Sequence, residues 1–352
     1  MAESLMQAQQ APGQDGDVVL EVRHLTKRFP IGNALKPKQV HALNDVSFPI
    51  KRGRVVSLVG ESGSGKSTTA RLIARLMPPT RGEILFKGKD VLKTESGSAS
   101  LGYRSDVQMI FQDPFGSLNP VKTIGYHIER PLLIHKVASG REVAGRVHDL
   151  LNTVGLTPPA EVAARYPYQL SGGQRQRVAI ARALAVNPEI ILADEPISML
   201  DVSIRMGVLN LMERLKEEMG LGFLYITHDL SSARYIGDDT MVMYAGHIVE
   251  GAESDELMHN PAHPYTRLLL AAVPNPHAGL QARKVETRGE IPSLVDPPPG
   301  CPFAPRCPHV MDVCRQLMPD KEWPAPNHWV RCHLYGPGPD PAPYPGERII
   351  KA

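Results

Sequence analysis

The chain has 352 residues, 42% hydrophobic and 22% charged, which is enough apolar material for a sizeable core and excludes a wholly disordered chain. Its formal net charge is +2, from 39 basic and 37 acidic side chains, which argues against a strongly basic nucleic-acid binder and against a polyanionic tail protein. The length predicts two domains, or one large domain with an appendage.

Residues 1–17 are polar and Gln-rich and predict a flexible leader without the apolar stretch of a signal peptide. No apolar run approaches the ~18 residues that span a bilayer. The longest, such as Leu268–Val273, are core-sized. The expectation is a protein made and kept in the cytoplasm. Val18–Val22 alternates weakly and predicts a strand. Residues 41–59 give further strand-like pieces and end in the apolar run Val55–Val59. A Gly-rich loop follows, then a helix over about Lys66–Met77, with Leu72, Ile73 and Leu76 at helical spacing and Pro78-Pro79 ending it. From about Pro131 to Asn187 the pattern is mostly helical. Ile190–Ala193, Phe223–Thr227 and Met241–Tyr244 are short apolar strands, as in a parallel sheet covered on both faces. Val208–Met219 is an amphipathic helix between the first two. This alternation predicts an α/β fold with a parallel core. From about Pro274 the signal becomes irregular, and residues 336–345 are polyproline-like. There is no internal repeat.

Gly60-Glu61-Ser62-Gly63-Ser64-Gly65-Lys66-Ser67 matches the phosphate-loop pattern G-x-x-x-x-G-K-[ST]. Its glycines let successive N–H groups point at a phosphate. Lys66 would reach the β- and γ-phosphates, and the Ser67 hydroxyl would ligate Mg²⁺. The helix starting at Lys66 adds its positive end. A strand before and a helix after are the correct context. Ile190-Ile191-Leu192-Ala193-Asp194-Glu195 is an apolar strand ending in two carboxylates. Asp194 suits Mg²⁺, and Glu195 suits a base that polarises the attacking water.

Leu170-Ser171-Gly172-Gly173-Gln174 precedes that strand, and Arg175-Gln176-Arg177 follows it directly. This resembles the signature motif of ATP-binding cassette (ABC) ATPases. Gln112 in Ile110-Phe111-Gln112-Asp113-Pro114 resembles the Q-loop. Ser198-Met199-Leu200-Asp201 resembles the D-loop, and His228 in Thr227-His228-Asp229-Leu230 the switch histidine. Phe29, after the first strand, resembles the aromatic that stacks on adenine. The likeness runs from about Val18 to Tyr335, with the motifs in family order. It implies a P-loop ABC cassette over 18–262. That cassette would have a RecA-like parallel core, an antiparallel β subdomain and a helical subdomain at about 113–182. Phe29, Gly60, Ser62, Gly63, Ser64, Gly65, Lys66, Ser67 and Thr68 would bind ATP. Ser67, Gln112 and Asp194 would hold Mg²⁺. Glu195, His228, Gln112 and Lys66 would carry the chemistry. Ser171, Gly172, Gly173, Gln174 and Asp201 would meet the ATP held by a partner cassette. Ile197 and Met199 depart from the Thr and Ala that the family more often has beside the D-loop.

The four cysteines lie between Cys301 and Cys332 with spacing C-x5-C-x6-C-x17-C. Clustering of this kind in a cytosolic protein points to metal before disulfide. Four thiolates suit zinc or an iron–sulfur cluster. The paired C-x2-C knuckles of structural zinc are missing. Cys301 and Cys307 each precede Pro, as one ligand does in bacterial ferredoxins. Iron–sulfur, zinc and no metal all stay open. His309, His328 and His333 read as solvated side chains. His263-Pro264-Tyr265-Thr266 together with Cys301, Cys307, Cys314 and Cys332 resembles the C-terminal extension of oligopeptide and dipeptide importer ATPases, here over 263–335. That resemblance implies a 4Fe-4S cluster on the four cysteines, with Zn²⁺ as the alternative. It also implies a sister ATPase subunit, two transmembrane permeases, an extracytoplasmic binding protein and no nucleic acid. The chain would then sit at the cytoplasmic face of the membrane. Peptide is the implied cargo, with nickel or oligosaccharides the alternatives within that importer class. A soluble ABC protein of DNA repair or translation is the rival from another class. Such proteins usually carry two cassettes, and this chain has one.

Overall fold

The computed structural model describes residues 17–33, 36–95, 97–113, 116–272 and 292–336. The leader at 1–16 and the polyproline-like segment from 337 onward lie outside them. β1 (Val18–Asn33) and β2 (Lys36–Lys51) form a long antiparallel hairpin. The sequence predicts only the first five residues of β1. Register shifts between Val22 and Arg28 interrupt its alternation, so the period-two pattern fades while the pairing continues. β3 (Val55–Val59) leaves the hairpin and enters the central sheet, and α1 (Lys66–Ile73) follows the phosphate loop. The helix is shorter than expected. Arg75 has φ 53°, which ends it, and Leu76 is 58% exposed, so Leu76 does not continue the buried stripe.

β4 (Arg81–Phe86) and β5 (Lys89–Asp90) complete a four-stranded antiparallel sheet in the order β2-β1-β4-β5. Two short helices, α2 (Val91–Thr94) and α3 (Leu101–Asp106), lead to β6 (Val107–Ile110). A helical layer follows: α4 (Ile124–Ile134), α5 (Glu142–Thr153), α6 (Pro159–Ala164) and α7 (Gly172–Leu184). The chain then returns to the sheet as β7 (Ile190–Asp194), α8 (Val202–Met219), β8 (Gly222–Thr227), α9 (Leu230–Ile236), β9 (Asp239–Tyr244) and β10 (His247–Glu253).

The strands β9-β3-β8-β7-β6 are parallel neighbours. Side chains of a strand alternate between faces. Ile191 and Ala193 of β7 therefore pack with the helical layer, and Ile190 and Leu192 with the antiparallel sheet. Both faces are covered, which is why these strands read as unbroken apolar runs.

The last cassette helix is α10 (Ser254–His259), and past the cassette come α11 (Pro264–Ala271), α12 (Asp312–Gln316), β11 (Glu322–Ala325) and β12 (His328–Val330). The sequence predicts an irregular extension. Instead β12 pairs with β10, so the extension adds two strands to the central sheet. These strands have three and four residues and include Pro324, too few for alternation to register. Among the described residues no helix is long and apolar enough to cross a membrane.

Candidate active site

The loop from Gly60 to Gly65 joins β3 to α1. Gly65 caps the helix with φ 111°, and a Cβ there would lie 2.6 Å from the Ala42 carbonyl oxygen, so no other residue fits. Helix N-termini leave backbone N–H groups unpaired, which is what a phosphate needs. Ser62 and Gly63 are exposed at the loop's tip, and Ser64 is buried with its hydroxyl unpartnered among the described residues. The buried Lys66 ammonium folds back onto the Gly60 and Glu61 carbonyls at 2.7 and 2.9 Å. Burial lowers its pKa, while Glu195, Asp194 and Glu61 pull the other way. The Ser67 hydroxyl donates to Asp194 Oδ1 at 2.8 Å, and Thr68 follows on α1. Burial raises the Asp194 carboxyl above its ordinary range, with the Ser67 hydrogen bond opposing. These are hard oxygen donors, one of them a buried carboxylate, the set that suits Mg²⁺.

Glu195 follows β7 in the left-handed region at φ 46°, and its N–H donates to the Ile226 carbonyl at 2.9 Å. Gln112 Nε2 donates to Glu195 Oε2 at 2.9 Å, which leaves the Gln112 carbonyl oxygen for a cation. His228 Nδ1 stands 3.4 Å from Glu195 Oε1. Residues from the ends of β6, β7 and β8 thus meet on one carboxylate.

Ser171 caps α7. Its hydroxyl accepts from the Gln174 N–H at 3.3 Å, and the Gln174 side chain accepts from the Ser171 N–H at 3.0 Å. Gly172 opens the helix. A Cβ on Gly173 would lie 2.4 Å from Ile204 Cγ2 on α8. Asp201 caps α8 without a side-chain bond to it. The Gly173–Ile204 contact therefore brings the signature segment and the D-loop end of α8 together. Ile197 is buried beside them and Met199 is half exposed. Phe29 is half-buried on β1, with the Lys27 ammonium 4.9 Å from its ring centre.

Cys301, Cys307, Cys314 and Cys332 are free thiols that line one pocket with Phe303. Burial pushes Cys301 up to about 11 and Cys332 up to about 12, and neighbouring cysteines push the same way. Among the described residues no group of three or more His, Cys, Asp or Glu is placed to hold a metal ion. His309 and His333 line the same pocket. His328 is not solvated, contrary to the sequence reading. It is buried, with Nε2 2.8 Å from Glu250 Oε1 and Nδ1 3.4 Å from Glu256 Oε1. Glu250 is itself fully buried on β10, and a carboxylate there needs partners. The Ala262 and His263 N–H groups supply the other two, at 2.6 and 2.9 Å.

Two family models match the chain: ABC transporter over residues 43–198, and oligopeptide/dipeptide transporter, C-terminal region, over residues 249–314. The oligopeptide transport ATP-binding protein AppF of Bacillus subtilis (strain 168) is 46% identical, over 91% of this chain and 98% of its own. The dipeptide transport ATP-binding protein DppF of Escherichia coli (strain K12) is 43% identical, over 86% of this chain and 90% of its own. The chain belongs to the ABC transporter ATPases. A dimeric ATP-binding cassette, solved in a post-hydrolysis state with ADP and Pi, is 34% identical and matches 67% of this chain and 98% of that one at a TM-score of 0.59.

In this ABC ATPase the motif reading missed Glu61, which occupies an unspecified position of the phosphate loop. Arg306 binds its carboxylate through both terminal nitrogens, at 2.9 and 3.0 Å. The Tyr265 hydroxyl accepts from the Glu61 N–H at 2.9 Å. These partners are about 200 residues or more away in sequence, so no local pattern could reveal them.

Proposed function

We propose that this ABC ATPase drives import of dipeptides or oligopeptides across a membrane, acting from the cytoplasmic face. It would pair with a sister ATPase and act on two permeases fed by an external binding protein. The observation that carries the catalytic part is the convergence of Gln112 and His228 on Glu195 beside the Lys66 and Ser67–Asp194 contacts. For the cargo, the reading rests on the likeness of residues 249–314 to the oligopeptide/dipeptide C-terminal region.

ATP lies on the phosphate loop with its adenine against Phe29. Gly60, Ser62, Gly63, Ser64, Gly65 and Thr68 wrap the phosphates, and Lys66 leaves the Gly60 and Glu61 carbonyls to reach them. Ser67, Asp194 and the Gln112 carbonyl would hold Mg²⁺, which would supply positive charge against the phosphates. Water attacks the γ-phosphorus as the bond to the β,γ-bridging oxygen breaks, and Glu195 takes the proton. His228 steadies the γ-phosphate oxygens. Ser171, Gly172, Gly173, Gln174 and Asp201 do the same for the nucleotide of the partner cassette. The open N-terminus of α7 supplies N–H donors there.

The four thiols fit a thiolate-bound group by donor type and by lining one pocket. Spacing favours a 4Fe-4S cluster over Zn²⁺, since the paired C-x2-C knuckles of structural zinc are missing and Cys301 and Cys307 each precede Pro. Its role would be structural, since thiolate ligation contributes to folding. About four irons and four acid-labile sulfides per chain are expected after purification without oxygen. Zinc alone or no metal would overturn that part and leave the ATPase reading intact. The import reading is tested by reconstituting the chain with its permeases and sister subunit in vesicles. ATP-dependent uptake of labelled peptide is expected. ATP hydrolysis without peptide uptake would overturn the cargo.

A further inference from the structure

We propose that the C-terminal extension pins the phosphate loop, and that Arg306 is a positioning residue for ATP binding. This rests on the reading that the loop holds ATP.

Glu61 is held on every polar side. Its carboxylate takes both Arg306 nitrogens. Its N–H goes to the Tyr265 hydroxyl, and its carbonyl takes the Lys66 ammonium at 2.9 Å. Two of these partners lie beyond the cassette. Arg306 is 8% exposed. It also donates to the Tyr244 hydroxyl at 3.2 Å, and its guanidinium lies 5.7 Å from the ring centres of Tyr244 and Phe303. The contact is therefore a packed, bidentate ion pair. An exposed ion pair would contribute little.

Two consequences follow for the nucleotide. A loop fixed at its second residue loses less conformational freedom when phosphate arrives. The guanidinium also offsets a carboxylate that would otherwise stand unpaired beside an incoming triphosphate. Arg306 directly precedes Cys307, and Phe303 lines the thiol pocket. The pin is thus mounted on the segment that closes that pocket.

The test is ATP affinity of the full chain, measured by competition against a fluorescent ATP analogue with Mg²⁺, with thermal melts to check folding. Arg306→Ala is expected to weaken binding about tenfold, within the range of ordinary site-to-site coupling. Arg306→Lys should recover part of the loss, because a point charge keeps the pairing without the fork. Combining Glu61→Gln with Arg306→Ala should bind ATP better than Arg306→Ala alone, because the unpaired carboxylate is gone. A merely structural role would leave the double variant as weak or weaker. Wild-type affinity in a folded Arg306→Ala chain, or no recovery in the double variant, would overturn the proposal. If Arg306→Ala does not fold, Arg306→Lys and Glu61→Gln decide: wild-type affinity in both overturns it. Failure of the underlying site reading is distinct. It would show as wild-type affinity in Lys66→Ala, or as no ATP binding by the wild-type chain.

Discussion

Gly173 shows how much a single position can carry. Its missing Cβ lets α7 press against Ile204, and the same residue belongs to the signature segment. Ile204 is β-branched and cannot swing away cheaply. Gly173→Ala is expected to cost about 1–3 kcal/mol through overpacking, read as a lower thermal midpoint. Adding Ile204→Ala should restore most of it. A Gly173→Ala chain as stable as wild type would contradict the contact. At this scale the positions of the motif residues were legible because the motifs have fixed spacing. Lys66 and Ser67 sit where the loop pattern places them, and Glu195 where the apolar strand ends. Glu61, Arg306 and His328 were not legible, since each acts through a partner distant in sequence.

Among the elements, the addition of β12 to β10 depends on a buried charged cluster. Glu250 on β10 faces His328, His263 and the backbone of Ala262–His263, and His328 also faces Glu256. The two histidines respond to pH in opposite senses. For His328 burial lowers the pKa, but the hydrogen bonds and charges of Glu250 and Glu256 carry it above its ordinary 6.5. Its contribution is complete below the unfolded value and is lost as pH rises through the folded one. Burial is the leading influence that takes His263 down to about 4, opposed by Glu250 and aided by Arg267. Its contribution is complete above the unfolded value of 6.5 and is lost as pH falls toward about 4. Thermal midpoints across pH should therefore fall on both sides. His328→Gln should flatten the alkaline limb and cost about 2 kcal/mol near neutrality. An unchanged alkaline limb would contradict the buried pair. The strands β7, β8 and β9 were legible because both faces are apolar. The hairpin β11–β12 was not, because strands of four and three residues, one holding Pro324, leave too little pattern to read.

The whole molecule joins two layers around a parallel sheet whose strand ends carry Gln112, Glu195 and His228. Those strand ends lie in the cassette, while the extension adds β12 and β11 at the sheet edge beyond β10 and touches Glu61 of the Gly60–Gly65 loop through Tyr265 and Arg306. The α/β class was legible from alternating helices and apolar strands. That the extension is continuous with the central sheet was not, since long-range pairing leaves no mark in local sequence. Because Glu195 collects both Gln112 and His228, its carboxylate is the point on which the account of turnover depends. The most direct measurement is ATP hydrolysis by the chain assembled with the permeases and sister ATPase proposed for it, wild type against Glu195→Gln, with ATP binding measured in parallel. The amide keeps the shape and the Gln112 contact but cannot take a proton. Hydrolysis should fall by about 10²–10⁴, the usual reach of a general base, while ATP affinity stays within a few-fold of wild type. Turnover at the wild-type rate in Glu195→Gln would contradict Glu195 as the base and the mechanism built on it.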